Sequence, residues 1–358
     1  MSPYKIGVLY GDGIGPEIVD STVEIVNAAS RRLELNVLEF QYLPIGWEAI
    51  DKLGHPVPSS TKEALAELDG WIMGPHDSAS YPDKFKEIRN PSGELRHSFD
   101  LYANIRPSKS IPGVKGLVEN ANLVIYRENT EGFYPDRNMY SGSGEWKITP
   151  DVAVSTGVFT RKAITRIAKA AFEAAMSRRK KVTIVHKANV IRLGTGMFKD
   201  ICLEVAKDYP DVQVDDYHID AMTAHLVRNI HQFDVIVTEN MFGDILSDLA
   251  GELAGSLGLA PSINTNSQQV MAQAAHGSAP DIAGQNKANP VGIILSTVML
   301  LQWLGDKHKD DKLIEIANLI EQSIYTVMGK GIKTVDLNGK ETTTSFTKAV
   351  MNKIQQQK

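Results

Sequence analysis

Two aspartates, Asp244 and Asp248, stand four residues apart in Gly243-Asp244-Ile245-Leu246-Ser247-Asp248, directly after an apolar run that reads as a buried strand. At that spacing both carboxylates leave one face of a helix into one small volume. Their charges repel unless a cation lies between them. Phe242, Ile245, Leu246, Leu249, Ala250, Leu253 and Ala254 make the rest of the segment mostly apolar, unlike a solvated helix face. A hard divalent cation held by oxygen ligands suits such a pair. A helix with two solvent-facing acids is the plain alternative.

Arginines add a second kind of chemistry. Arg96, Arg106 and Arg127 each sit at the edge of an apolar or strand-like segment: Glu94-Leu95-Arg96, Tyr102-Ala103-Asn104-Ile105-Arg106-Pro107 and Val124-Ile125-Tyr126-Arg127-Glu128. A guanidinium held near a core edge takes an anionic partner, either a protein carboxylate or a carboxylate ligand bound bidentately. Singly each reads as a structural ion pair, whereas three together point to a substrate with several carboxylates. Tyr134, in Gly132-Phe133-Tyr134-Pro135, and Lys187, at the end of the strand-like Thr183 to His186, are the candidate proton carriers. Strand ends in open α/β sheets face the ligand crevice, and a desolvated lysine there can serve as a base. Asp220, after the strand-like Val212 to Tyr217, is a candidate third carboxylate.

Two glycine-containing loops remain. Gly11-Asp12-Gly13-Ile14-Gly15-Pro16 follows the first strand, but its third glycine comes one residue early for a dinucleotide fingerprint. A turn opening a helix with proline in its first turn explains it. His276-Gly277-Ser278-Ala279-Pro280-Asp281-Ile282-Ala283-Gly284 is rich in small residues that let backbone N–H groups approach a phosphate, and a plain turn fits equally well.

The elements that must position these groups alternate between strand and helix patterns, which predicts an α/β architecture. Strands are expected at Ile6 to Tyr10, Leu33 to Val37, Trp71 to Met73, Ala121 to Tyr126, Val182 to Val185, Val212 to Tyr217 and Asp234 to Thr238. Helices are expected from about Thr61 to Leu68, Arg161 to Met176, Met197 to Asp208, Pro290 to Leu304 and Lys312 to Met328. Gly74 to Pro91 reads as a loop able to form a lid, and Pro135 to Pro150 as an exposed arm or hairpin.

The 358 residues suffice for about two domains, and 42% hydrophobic with 23% charged residues describes an ordinary globular chain. A net charge of −5 argues against a nucleic-acid partner; the one basic run, Arg178-Arg179-Lys180-Lys181, falls where a helix ends. One cysteine, Cys202, excludes an intramolecular disulfide framework. No signal pattern opens the chain, and Val291 to Leu304 is too short and too interrupted for a membrane span, so a cytoplasmic protein is expected.

Taken together these segments resemble the β-decarboxylating dehydrogenases, the family of isocitrate, 3-isopropylmalate, homoisocitrate and tartrate/D-malate dehydrogenases. The resemblance runs from Gly11-Asp12-Gly13-Ile14-Gly15-Pro16-Glu17 through Asp100 to Pro107 and Arg127-Glu128-Asn129-Thr130-Glu131-Gly132 to Asn240 to Asp248, then the 276–284 loop and Asn289-Pro290. It implies a two-domain α/β fold that is not a Rossmann fold, with residues 1–102 plus 253–358 in the large domain and 103–252 in the small one. It also implies a homodimer or larger assembly with shared active sites, the interface and an intersubunit arm at about 135–150 lying in the small domain. By position, Asp244 and Asp248 of one subunit and Asp220 of its neighbour would bind Mg²⁺ or Mn²⁺. Arg96, Arg106 and Arg127 would clamp a malate-like core, Lys187 with Asp220 would act as the base, and Tyr134 would protonate carbon. His276, Gly277, Ser278, Ala279, Pro280, Asp281, Ile282 and Asn289 would hold the cofactor. A carboxylate at Asp281 accepts hydrogen bonds from ribose hydroxyls and repels a 2′-phosphate, which favours NAD over NADP.

The substituent-reading segment is Arg89-Asn90-Pro91-Ser92-Gly93-Glu94-Leu95, where Asn90 and Ser92 are the candidate contacts. Isopropylmalate enzymes carry leucines there, and Ser92 with Gly93 offers no apolar pocket. The usual isocitrate pattern instead has serine at the first of these positions and asparagine at the second. A polar substituent is expected, isocitrate or homoisocitrate ahead of D-malate or tartrate, with isopropylmalate as the remaining alternative. A non-catalytic regulatory subunit, the reading from a different class, would be expected to lose metal or proton-transfer residues, and this chain keeps Tyr134, Lys187, Asp220, Asp244 and Asp248.

Overall fold

The computed structural model describes residues 2–134, 139, 142 and 144–357. The chain begins with strand β1 (Tyr4–Leu9), helix α1 (Gly15–Arg32), β2 (Leu38–Tyr42), α2 (Trp47–Leu53), α3 (Ser59–Ala66), β3 (Gly70–Met73) and α4 (Pro91–Ser98). α1 has proline in its first turn, Glu17 at its positive end and Arg31 and Arg32 at its negative end, so sequence and helix dipole agree. The middle of the chain supplies β4 (Ala103–Lys109), β5 (Asn122–Glu128), a hairpin of β6 (Glu145–Thr149) and β7 (Val152–Ser155), α5 (Arg161–Met176), β8 (Lys181–His186), α6 (Gly194–Ala206), β9 (Gln213–His218), α7 (Ile219–Asn229), β10 (Val235–Thr238) and α8 (Asn240–Ala254). The last third adds β11 (Ile263–Thr265), β12 (Val270–Ala272), α9 (Val291–His308), α10 (Asp311–Gly329) and α11 (Thr343–Gln356).

One ten-stranded sheet runs through the molecule in the order β2-β1-β3-β12-β11-β4-β5-β10-β8-β9. Its two ends are parallel, and the antiparallel pairs β12/β11, β11/β4 and β4/β5 join them. The mixed order, with three antiparallel pairs at its centre, is not a Rossmann sheet. Helices cover it: one apolar cluster joins α1, α9, α10 and α11 to the strands at the β1 end, and two others pack α5 and α6, and α7 and α8, around β5, β8 and β10. The hairpin β6–β7 stands apart from this sheet with Trp146, Ile148 and Val152 exposed. Of the arm expected at 135–150, residues 135–138, 140, 141 and 143 lie outside the described residues.

Two expectations are corrected. The alternation Leu33, Leu35, Val37 is not a strand: Leu33 caps α1 through Ala29, and the strand begins at Leu38. The three leucine and valine side chains instead pack, partly buried, against the α1 cluster. Residues 74–91 are not a free lid either. Asp12, 5% exposed, accepts hydrogen bonds from the Asp77 N–H at 2.8 Å and the Tyr81 hydroxyl at 2.5 Å, which ties the segment to the core, and two short 3₁₀ turns lie within it.

Candidate active site

β4 and β5 are antiparallel with Asn104 opposite Arg127 and Arg106 opposite Ile125, so Arg106 and Arg127 emerge diagonally on one face of the sheet. α8 crosses that face and brings Asp244 onto both. Arg106 donates from Nη1 to Asp244 Oδ1 at 3.1 Å and to Ser247 Oγ at 2.8 Å, and reaches Asp248 at 3.6 Å. Arg127 donates to Asn240 Oδ1 from Nε at 2.9 Å and Nη2 at 2.7 Å, and its Nη1 pairs with Asp244. The Tyr134 hydroxyl donates to Asp244 Oδ2 at 2.6 Å. Close approach of α8 to Arg127 depends on Gly243, where a Cβ would fall 2.6 Å from Arg127 Cγ.

The two aspartates differ in charge environment. Burial alone would raise the pKa of Asp244, but Arg127 and Arg106 outweigh it and hold the carboxyl at about 2. Asp248 is pushed up, first by burial and then by its neighbour Asp244, with Arg106 only partly offsetting them. Burial and the like charge of Arg127 pull Arg106 down to about 10, so Arg106 and Asp244 remain charged near neutrality. Asp244 and Asp248 thus offer anionic oxygens converging on one positively charged point, a donor set that fits a hard divalent cation as far as it goes. Among the described residues no third carboxylate, histidine or cysteine completes it.

Beside Asp244 lies a cleft of about 470 Å³ lined by Asn90, Ser92, Arg96, Arg106, Arg127, Tyr134 and Asp244 together with His76, Gln273, Ala274, Ala275 and His276, whereas Asp248 is not in its lining. The three arginines foreseen from sequence are therefore together. Asn90 lines the cleft but its Oδ1 caps α4, accepting from the Gly93 N–H at 2.8 Å, so its carbonyl is committed to the helix. Lys187 and Asp220 do not line this cleft: the lysine follows β8, the aspartate sits in the first turn of α7, and they pair with each other at 2.5 Å. That contact lowers the pKa of Asp220.

A second pocket of about 460 Å³ adjoins the first through His276. Ile14, Gly277, Ala279, Ile282, Ala288, Asn289 and Val335 give it apolar or small walls, with Lys287 and Asp336 at hand. Of the cofactor candidates, Ser278, Pro280 and Asp281 are not in its lining. Ser278 instead turns its carbonyl to the Ile14 N–H at 2.9 Å, beneath Gly13, whose φ of +59° and whose missing Cβ, 2.1 Å from that carbonyl, admit the contact. Asp281 is exposed. Asn289 accepts from the Val291 N–H at the start of α9 and donates to Asp336 at 2.9 Å.

Sequence reasoning missed His76 and Gln273. Both follow strand ends, β3 and β12, and that position is the signal by which they were findable. Burial, with Arg96 beside it, pulls His76 down to about 4, so it is neutral, and its Nδ1 has no hydrogen-bond partner among the described residues. His276 is likewise lowered by burial; its Nδ1 faces the Gly277 carbonyl, which leaves Nε2 as an unpartnered acceptor between the two pockets.

Residues 5–353 match the model of the family described as isocitrate/isopropylmalate dehydrogenase. The chain belongs to that family. Among its relatives, the isocitrate/homoisocitrate dehydrogenase of Thermus thermophilus is 41% identical over 351 residues, covering 97% of this chain and 98% of its own. The 3-isopropylmalate/3-methylmalate dehydrogenase of Methanocaldococcus jannaschii is 38% identical over 359 residues, 99% of this chain and 100% of its own. The crystal structure of isocitrate dehydrogenase from Methylococcus capsulatus superposes with a TM-score of 0.88 at 36% identity, covering 99% of this chain and 100% of that one. As an isocitrate/isopropylmalate dehydrogenase family member, the chain is a dehydrogenase of a family that generally uses NAD or NADP with a divalent metal. None of its helices among the described residues is long and apolar enough to cross a membrane.

Proposed function

We propose that this chain catalyses the NAD-dependent oxidative decarboxylation of a malate-type 2-hydroxy acid whose 3-substituent is polar, isocitrate or homoisocitrate. The observation that carries the reading is the cleft itself: three guanidiniums face one volume, and its substituent wall holds Ser92 and Gln273 where an isopropyl group would need aliphatic side chains. Names of relatives point both ways, since isopropylmalate dehydrogenases stand beside isocitrate/homoisocitrate dehydrogenases at similar identity. The lining favours the polar substrate.

Arg96, Arg106 and Arg127 bind the carboxylates and fix the reacting carbons, a bidentate task that lysine cannot share. Asp244 and Asp248 would hold Mg²⁺ or Mn²⁺ together with Asp220 of a second copy, because within one chain Asp220 is occupied with Lys187 outside the cleft. When bound, the cation supplies charge stabilisation at the substrate's hydroxyl and keto oxygens and the nicotinamide accepts the hydride. Removal of the hydroxyl proton falls to Lys187 of that second copy, assisted by its Asp220. After CO₂ leaves, Tyr134 delivers a proton to the carbon, from a hydroxyl already oriented by Asp244.

The pocket beside Ile14 and Val335 takes the adenine, and Asp281, exposed and next in sequence to the lining residue Ile282, meets the ribose; its charge disfavours a 2′-phosphate. A homodimer is supported by exposed apolar residues on the middle part of the chain: Val227 on α7, Ile245 on α8, and Trp146 and Ile148 on the hairpin. The test is steady-state kinetics on purified protein with Mg²⁺ or Mn²⁺, NAD or NADP, and isocitrate, homoisocitrate, 3-isopropylmalate, D-malate and tartrate. Highest kcat/KM with isocitrate or homoisocitrate and NAD is expected. A preference for isopropylmalate or for NADP would overturn the corresponding half.

A further inference from the structure

Gln273 occupies the wall of the cleft at 7% exposure, and its backbone is clamped by Ser262, which accepts from its N–H at 3.1 Å and donates to its carbonyl through Oγ. Its side chain bridges two other buried groups. Oε1 accepts from Arg96 Nη2 at 3.2 Å, and Nε2 donates to Ser92 Oγ at 2.6 Å. Because guanidinium nitrogens can only donate, the amide has one orientation: oxygen to Arg96, nitrogen to Ser92. Ser92 must therefore accept, and its own O–H proton has no acceptor among the described residues. The serine sits in the first turn of α4, pinned by the Asn90 cap, and borders the cleft.

We infer that Gln273 is a specificity-determining positioning residue: by donating to Ser92 and accepting from Arg96, it makes Ser92 a hydrogen-bond donor toward the substrate's 3-substituent. The cleft then selects a substituent ending in an acceptor, a carboxylate, over one that is apolar or absent. An amide does this and a carboxylate would not. Glutamate at 273 would accept from both neighbours, turn the Ser92 proton inward and neutralise Arg96. The inference rests on the polar-substrate reading proposed above and extends it to a residue that does not itself need to touch the substrate.

The experiment is a double-mutant cycle of Gln273→Glu and Ser92→Ala, each assayed with isocitrate and with D-malate, which lacks the substituent. Gln273→Glu should lower the kcat/KM ratio of isocitrate to D-malate roughly 10- to 100-fold, the worth of one hydrogen bond to a charged group, chiefly through the KM for isocitrate. Ser92→Ala should lower the ratio similarly. In the Ser92→Ala background Gln273→Glu should change it by less than about threefold, since its effect acts through the serine. Gln273→Met, which removes both hydrogen bonds without adding charge, serves if the glutamate variant does not fold, and should also lose selectivity for isocitrate. An unchanged ratio in Gln273→Glu or Gln273→Met, or full additivity with Ser92→Ala, would overturn the role of Gln273. A wild type that prefers 3-isopropylmalate or D-malate would instead overturn the substrate reading on which it rests.

Discussion

The carboxylate of Asp244 accepts from Arg106, Arg127 and Tyr134 at once, so a single anion organises groups from β4, β5, α8 and the loop after β5. In the proposed site, removing that charge would cost the metal one of its ligands. Its surroundings argue for more. Arg127 is 2% exposed and, with asparagine at 244, would exchange the carboxylate that balances its charge for a neutral amide beside that of Asn240. Asp244→Asn should therefore abolish metal-dependent turnover and also cost roughly 1–3 kcal/mol of stability, the usual penalty for a buried charged group left short of a partner. Denaturant unfolding followed by circular dichroism, alongside activity, checks both; near-normal activity would remove Asp244 from the metal site.

At the scale of elements, the 276–284 loop, proposed above to hold the cofactor, is tied to the first glycine turn far away in sequence. Gly13 passes under Ser278 with no room for a Cβ, and Ile14 both bonds that carbonyl and lines the second pocket. Gly13→Ala should displace the 276–284 loop and raise the KM for NAD by about tenfold or more, the loss that one misplaced hydrogen-bonded contact entails, while the KM for the hydroxy acid moves far less. Equal effects on both would show that the loop does not serve the cofactor. The same comparison explains what was legible beforehand. Arg161 to Met176 has the boundaries its apolar spacing predicts, and the three arginines converge as their shared position at strand and helix edges suggested. α11 escaped notice although Thr342 and Ser345 form a capping box, because its exposed face is polar and its buried stripe narrow. For Gln273 and His76 the strand-end position was legible but the role was not. A glutamine acquires meaning only from partners, and Arg96 lies 177 residues away in the chain, on an element whose placement periodicity does not give.

For the whole molecule, the largest apolar cluster and one smaller one draw mainly on the two ends of the chain, and two others mainly on its middle. If active sites are shared between two copies, two inactive variants should repair each other. Refolding Asp244→Asn with Lys187→Met from a denatured mixture should restore roughly a quarter of wild-type activity, since half the dimers are mixed and each holds one intact site. No recovery beyond either variant alone would place every catalytic group within one chain. The sheet order carries a consequence for how the protein comes into being. β3 and β4 are neighbours in sequence, yet β12 and β11 lie between them, supplied by residues 263–272. During synthesis the first three strands and the middle strands must wait as two unjoined half-sheets, each with an unpaired edge, until that short hairpin leaves the ribosome. The segment that closes the sheet also delivers Gln273 and His276 to the cleft, so sealing the sticky edges and assembling the substrate-reading wall are one late event in the life of the nascent chain.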